Sequence, residues 1–315
     1  MIDFHPEGQL ILKQENKTFL SSPSNLADAY KNNKILEAKA IMCDSNHNLI
    51  IDLNCMKGII PRDEGAIGIK EGSVRDIAVI SKVNRPVCFT ITKFEKDPSG
   101  KDVAILSRRE AQEICNEKYI SKLVPGDIIS AKITHIEAFG VFVDIGCGII
   151  SFLPIDSISV SRISHPNERF VVGMDIKVIV KSLENNRINL THKELLGTWE
   201  ENASLFSIGE TVSGTIRSVE DYGAFIELTP NLAGLSEIKR GIQTGQQASV
   251  YIKNIIPEKM KIKLVIIDTF DFHNVPSSPK YFYTQNHIDK FTYSPESSSK
   301  TIQTIFSDLV TANSH

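Results

Sequence analysis

Two stretches of the chain repeat a pattern suited to holding flat rings against a surface. Phe139-Gly140-Val141-Phe142-Val143-Asp144 is matched by Tyr222-Gly223-Ala224-Phe225-Ile226-Glu227. Side chains alternate between the faces of a strand. Val141, Val143 and Ile145 therefore share an inner face, as do Ala224, Ile226 and Leu228. Phe142, Asp144, Phe225 and Glu227 turn outward. A regular strand would turn Phe139 and Tyr222 inward, but Gly140 and Gly223 allow a bulge or bend that returns them to the outer face. Neighbouring outward rings suit the stacking of unpaired nucleic-acid bases, worth about 1–3 kcal/mol per base. The competing reading is that the rings fill a core. Phosphates would need cations alongside. Candidates are Lys132, Arg162, His165, Arg169, Lys181 and Arg187 around the first motif, and Lys253, Lys259, Lys261 and Lys263 around the second.

The motif belongs to a longer repeat. Gly126 recurs as Gly209 and Gly140 as Gly223, both 83 residues on, whereas Gly173 recurs as Gly245 after 72. The later copy has thus lost 11 residues in the region of Ser159 to Phe170, where an indel belongs in a loop. A fainter copy lies upstream, with strands at Ile35 to Ile41, Leu49 to Leu53, Gly58 to Pro61, Pro86 to Ile91 and Val103 to Ser107. Each unit has about five short strands and suits a small closed barrel of the OB type. The expected architecture is all-β: three tandem five-stranded barrels, short helical linkers and a C-terminal tail with a short helix. The divisions are an N-terminal extension 1–32, a degenerate first domain 33–109, a helical linker 110–122, a second domain 123–193, a linker 194–206 anchored by Trp199, a third domain 207–268 and a tail 269–315. In the extension a strand is expected around Gln9 to Lys13. In the tail, Ile302, Ile305, Phe306 and Leu309 have the spacing of one amphipathic helix.

Composition excludes several classes. With 41% hydrophobic and 23% charged residues, and a mean hydropathy of −0.09, the chain is neither disordered nor collagen-like. No run of apolar residues is long enough for a membrane span, and the N-terminus lacks the pattern of a secretory signal, so a cytoplasmic protein with no membrane partner is expected. The five cysteines are widely spaced without a Cys-x-x-Cys, and they read as free thiols. A net charge of −3 is wrong for a protein that coats duplex nucleic acid by charge alone. Phosphate loops, nucleophile elbows and zinc-protease motifs are missing, as is any acidic or histidine group at metal-ligand spacing. The expectation is no catalytic residue, no metal, no cofactor and no small-molecule substrate.

The run from Gly126 through Phe139-Gly140-Val141-Phe142-Val143-Asp144 and Gly173 to Arg187-Ile188-Asn189-Leu190 resembles the S1-type RNA-binding OB domain. Several such domains in tandem resemble bacterial small-subunit ribosomal protein S1, in its short clostridial S1-like form. The resemblance implies an RNA face using Phe139, Phe142 and Arg187 in the second repeat and Tyr222, Phe225 and Lys259 in the third. The expected contact set is Lys132, Phe139, Phe142, Arg162, His165, Arg187, Tyr222, Phe225, Lys253, Lys259 and Lys261. Departures include Pro154 in place of a histidine, Leu183 in place of an aspartate, and His47 and Ile50 at the aromatic positions of the first repeat. The implied function is non-enzymatic binding of single-stranded RNA, including mRNA, in translation, with the small ribosomal subunit as a further partner. The alternative is an RNA-binding regulator or RNA-decay accessory that does not join ribosomes.

Overall fold

A computed structural model describes residues 4–184, 187–271 and 276–306. The chain divides into two compact units. One holds the residues up to Leu123 together with Asp144–Ile150, and the other holds the remainder.

In the first unit, β1 (Leu36–Cys43), β2 (Leu49–Asp52), β3 (Lys57–Ile60), β4 (Pro86–Lys96) and β5 (Asp102–Ser107) close into a barrel of order β1-β2-β3-β5-β4. The β4–β5 turn is fixed by Asp97, whose carboxylate accepts the N–H groups of Ser99 and Lys101 at 2.8 and 3.0 Å. Two helices, Gln14–Phe19 and Pro23–Lys31, precede the barrel. Ser22 caps the second and Pro23 takes its first turn, where a missing N–H costs nothing. Leu26 and Ala29 then join the barrel core. The strand expected around Gln9 to Lys13 is instead a single 3-10 turn, Leu10–Leu12. The reason is Glu37, buried in β1, whose carboxylate gathers the N–H groups of Gly8 and Ile11. An extended segment cannot aim two N–H groups that close in sequence at one carboxylate.

The second unit carries two further barrels. β6 (Ile128–Glu137), β7 (Gly140–Asp144), β8 (Ile150–Pro154), β9 (Asp175–Glu184) and β10 (Arg187–Thr191) close in the order β10-β8-β7-β6-β9. β11 (Thr211–Glu220), β12 (Gly223–Thr229), β13 (Leu232–Ser236), β14 (Gln247–Ile256) and β15 (Lys261–Phe270) close in the order β11-β12-β13-β15-β14. Alternation is clean in β15, where Ile262, Leu264 and Ile266 are buried between exposed Lys261, Lys263 and Val265. The linkers are helical, Arg108–Lys118 before the second barrel and Trp199–Ala203 before the third. Trp199 is buried with Ile179 of the second barrel and Ile216, Ala224 and Val250 of the third.

The tail differs from its expected helix. Gln303–Ile305 forms a strand, β17, antiparallel to β16 (Lys290–Thr292), and the next residue, Phe306, is buried. The Phe306 N–H donates to the Asp289 carbonyl at 2.9 Å. Local spacing is overridden because pairing with β16 delivers Phe306 to the core that also takes Phe291 and Tyr293. Leu309 and Phe272 lie outside the described residues.

His192 ties the second barrel to the tail. Its Nδ1 donates to the Ile158 carbonyl at 2.8 Å, which leaves Nε2 to accept the Tyr281 hydroxyl at 3.3 Å. Burial, reinforced by nearby Arg169, holds the imidazole down to about 4 although the Ile158 bond favours its charged form. A histidine depressed in the folded state stabilises fully above its unfolded value near 6.5, and that stability is lost as pH falls through the folded value. Thermal melts should therefore show the second unit losing up to about 3 kcal/mol between pH 6.5 and 4, and His192→Asn should flatten that dependence.

Candidate nucleic-acid interface

Phe139 and Tyr222 are 58% and 70% exposed. They stand outward because each occupies a two-residue turn, Ala138-Phe139 between β6 and β7 and Asp221-Tyr222 between β11 and β12, and not a bulge within a strand. Glycine follows for steric reasons. A Cβ on Gly140 would lie 2.5 Å from both the Leu153 carbonyl oxygen and the Phe152 ring, and one on Gly223 would lie 2.7 Å from the Ser236 carbonyl oxygen. The turn residue and the strand residue then meet edge-on. Ring centroids are 6.5 Å apart for Phe139 and Phe142 and 6.2 Å for Tyr222 and Phe225.

The second barrel holds a ring that the sequence reading missed. Phe152 on β8 lies 5.5 Å from Phe139 and 5.2 Å from Phe142, with His135 6.2 Å from Phe142. Alternation carried the signal, since its neighbour Leu153 is fully buried. The third barrel has Leu235 at the equivalent place, paired with Phe225 across the sheet and with Lys263 beyond. Phe142 and Phe225 are half-buried within these clusters rather than fully outward.

The acidic residues beside the rings do not face solvent as alternation predicts. Asp144 is 1% exposed and accepts the N–H groups of Glu7, Gly146 and Gly148 at 2.7, 2.8 and 3.0 Å. Burial, with the Glu7 carboxylate, pushes it up to about 7. Glu227 is 7% exposed and takes Arg217 at 2.7 Å and Arg169 at 2.6 Å, while Glu168 also pairs with Arg217. These ion pairs and two hydrogen bonds from backbone N–H groups, Ser161 N–H to the Pro230 carbonyl and Val160 N–H to the side-chain Oδ1 of Asn231, both at 3.0 Å, seat the second barrel's 159–170 loop on the third barrel. The segment absent from the third repeat is thus a docking strap.

The cations divide accordingly. Arg169 is consumed by Glu227, and Lys132 pairs with Asp175 at 2.8 Å. His165 is committed to its own turn, where Nδ1 accepts the Asn167 N–H at 3.2 Å. Arg162, Arg187, Lys253, Lys259 and Lys261 are exposed and make no ion pair among the described residues. In the first barrel Ile50 is 5% exposed and His47 lies 3.4 Å from Asp76, so neither of these two positions presents a Phe, Tyr or Trp ring. No group of three His, Cys, Asp or Glu among the described residues can hold a metal ion, and none of the described helices is long and apolar enough to cross a membrane.

Residues 122–193, which span all five strands of the second barrel, match the family model of the S1 RNA binding domain. The second barrel is an S1 domain. The chain is similar to small ribosomal subunit protein bS1 of Staphylococcus aureus strain COL, 28% identical over 307 residues, covering 90% of this chain and 75% of that one. The bS1 of Leuconostoc lactis is 28% identical over 234 residues, covering 69% of this chain and 52% of its own. A solved multidomain protein with nucleic acid binding domains from Streptococcus pneumoniae TIGR4 aligns over 75% of this chain and 73% of its own, at 12% identity and a TM-score of 0.25.

The S1 domain's glycine can be tested directly. Gly140→Ala should lower stability by about 1–3 kcal/mol through overpacking against Phe152 and Leu153, whereas Phe139→Ala should stay within about 0.5 kcal/mol of the parent in thermal melts.

Proposed function

We propose that the chain binds single-stranded RNA on the outer faces of its second and third barrels, without catalysis, and serves translation in the manner of bS1. The observation that carries this reading is the ring cluster Phe139, Phe142 and Phe152 on an S1 domain that also carries exposed Arg187, which makes no ion pair among the described residues. Base faces stack on such rings whatever their sequence, and an exposed guanidinium is available to a phosphate. In the third barrel Tyr222 and Phe225 take the stacking role, with Lys253, Lys259 and Lys261 as the phosphate contacts. Arg162 is the exposed cation of the strap. Lys132 and His165 contribute less, because each already has a partner. The likeness to bS1 supports the small ribosomal subunit as a partner, which co-sedimentation with purified 30S subunits checks.

Duplex bases already stack on each other and are withheld from these rings. Fluorescence anisotropy with a pyrimidine RNA should give tighter binding for the single strand than for a blunt duplex. Phe139→Ala and Tyr222→Ala should each cost about 1–3 kcal/mol of affinity while the fold melts as the parent does. Unchanged affinity in both variants would remove the rings from the interface.

A further inference from the structure

Three cysteines from distant parts of the chain meet in the core of the first unit. Cys88 comes from β4, Cys115 from the helix Arg108–Lys118 and Cys147 from the β7–β8 connection. All three are buried and pack as one cluster, walled by Phe4, Ile35, Tyr119, Ile120 and Ile149. Cys147 packs in this cluster with both of the others, and the Cys88 thiol donates to Glu37 Oε1 at 3.7 Å. It sits between Gly146 and Gly148 at a φ of +49°, a conformation that a non-glycine residue adopts at a cost. Its N–H is held by the His5 carbonyl at 2.9 Å. A Cβ on Gly146 would lie 3.0 Å from the Cys115 sulfur, so the connection passes directly against that thiol.

The cluster is reachable. A cavity of about 340 Å³ is lined by Cys88 and Cys147, with His5, Lys13, Asn16 and Lys34 among its polar wall. The neighbouring Cys115 and Cys88 thiols, with Arg108 nearby, hold the Cys147 thiol below the ordinary thiol range against burial and the Glu7 carboxylate. Its two neighbours are pushed up by that sharing and by burial. A thiolate supported by thiol donors is the reactive form of cysteine. The remaining cysteines, Cys43 and Cys55, lie outside the cluster.

We propose that this cluster is a peroxide-reactive thiol site at which Cys147 is oxidised and then captured as an intramolecular disulfide with Cys88 or Cys115. The Cys147 thiolate attacks one oxygen of a hydroperoxide. The O–O bond breaks, a sulfenic acid forms, and hydroxide or the corresponding alkoxide leaves. The sulfur of the neighbouring thiol then attacks the sulfenic sulfur. The S–S bond forms, the S–O bond breaks, and the hydroxyl departs as water with the neighbour's proton. Two electrons pass from the thiol pair to the peroxide, and a dithiol reductant reverses the change. The product ties the β7–β8 connection to a barrel strand or to the linker helix, all within the first unit.

The test uses the full chain. It is treated with hydrogen peroxide, quenched, denatured, alkylated and digested without reductant, and its disulfide-linked peptides are mapped by mass spectrometry. The expected result is a Cys147 peptide joined to that of Cys88 or Cys115, with two thiols lost of five and both restored by dithiothreitol. Cys43→Ser and Cys55→Ser should behave as the parent. With Cys88→Ser and Cys115→Ser combined, dimedone should label Cys147 alone, and circular dichroism before treatment establishes that this variant is folded. Should the double variant fail to fold, the peptide map of the parent chain decides alone. Recovery of Cys147 as a free thiol while Cys43 or Cys55 is oxidised, or a linkage that forms only after denaturation, would overturn the proposal.

Discussion

Asn231, at the turn into β13, is wholly buried, and both ends of its amide are bonded. The Nδ2 group donates to the carbonyls of Lys193 and Gly197 at 2.7 and 2.8 Å, Oδ1 accepts the Val160 N–H, and the backbone carbonyl accepts the Tyr293 hydroxyl at 2.7 Å. One residue thus joins the strap of the second barrel, the linker, the third barrel and the tail. A buried amide of this kind is costly to leave unsatisfied, so these four segments are specified together. The Glu227 ion network lies on the strand that carries Phe225, so the same docking also sets the charge environment of the third barrel's rings.

The fold was largely legible because barrel strands report themselves through alternation and turn chemistry. Val141, Val143, Ala224 and Ile226 are buried as their positions require. The rule failed where a tertiary partner took over. Asp144 and Glu227 sit at outward positions by sequence, yet one is covered by the N-terminal Glu7 backbone and the other by two arginines. The helix read from Ile302, Ile305 and Phe306 gave way to strand because pairing with β16 decides the conformation there. The turn rings Phe139 and Tyr222 were legible, and the cause of their exposure lies in the hairpin geometry that their glycines permit. Phe152 was not legible from the repeat because the third copy places leucine, Leu235, at the matching position.

Charge explains why the rings matter. Each of the second and third repeats balances seven Lys and Arg against seven Asp and Glu, and the structure consumes Arg169, Arg217 and Lys132 in internal pairs. With acidic residues matching the cations in number, charge alone offers a shallow electrostatic attraction, which is why the proposed reading rests on the rings. The first barrel closes in the same way with His47 and Ile50 at the two ring positions. This separates the architecture, common to all three repeats, from the exposed ring pairs that two of them carry.

The most direct measurement is ultraviolet crosslinking of a uridine-rich single-stranded RNA to the full chain, with the crosslinked residues located by mass spectrometry. The account predicts crosslinks at Phe139, Phe142 or Phe152 and at Tyr222 or Phe225. Crosslinks confined to the first barrel, or to faces of the other barrels away from these rings, would contradict it.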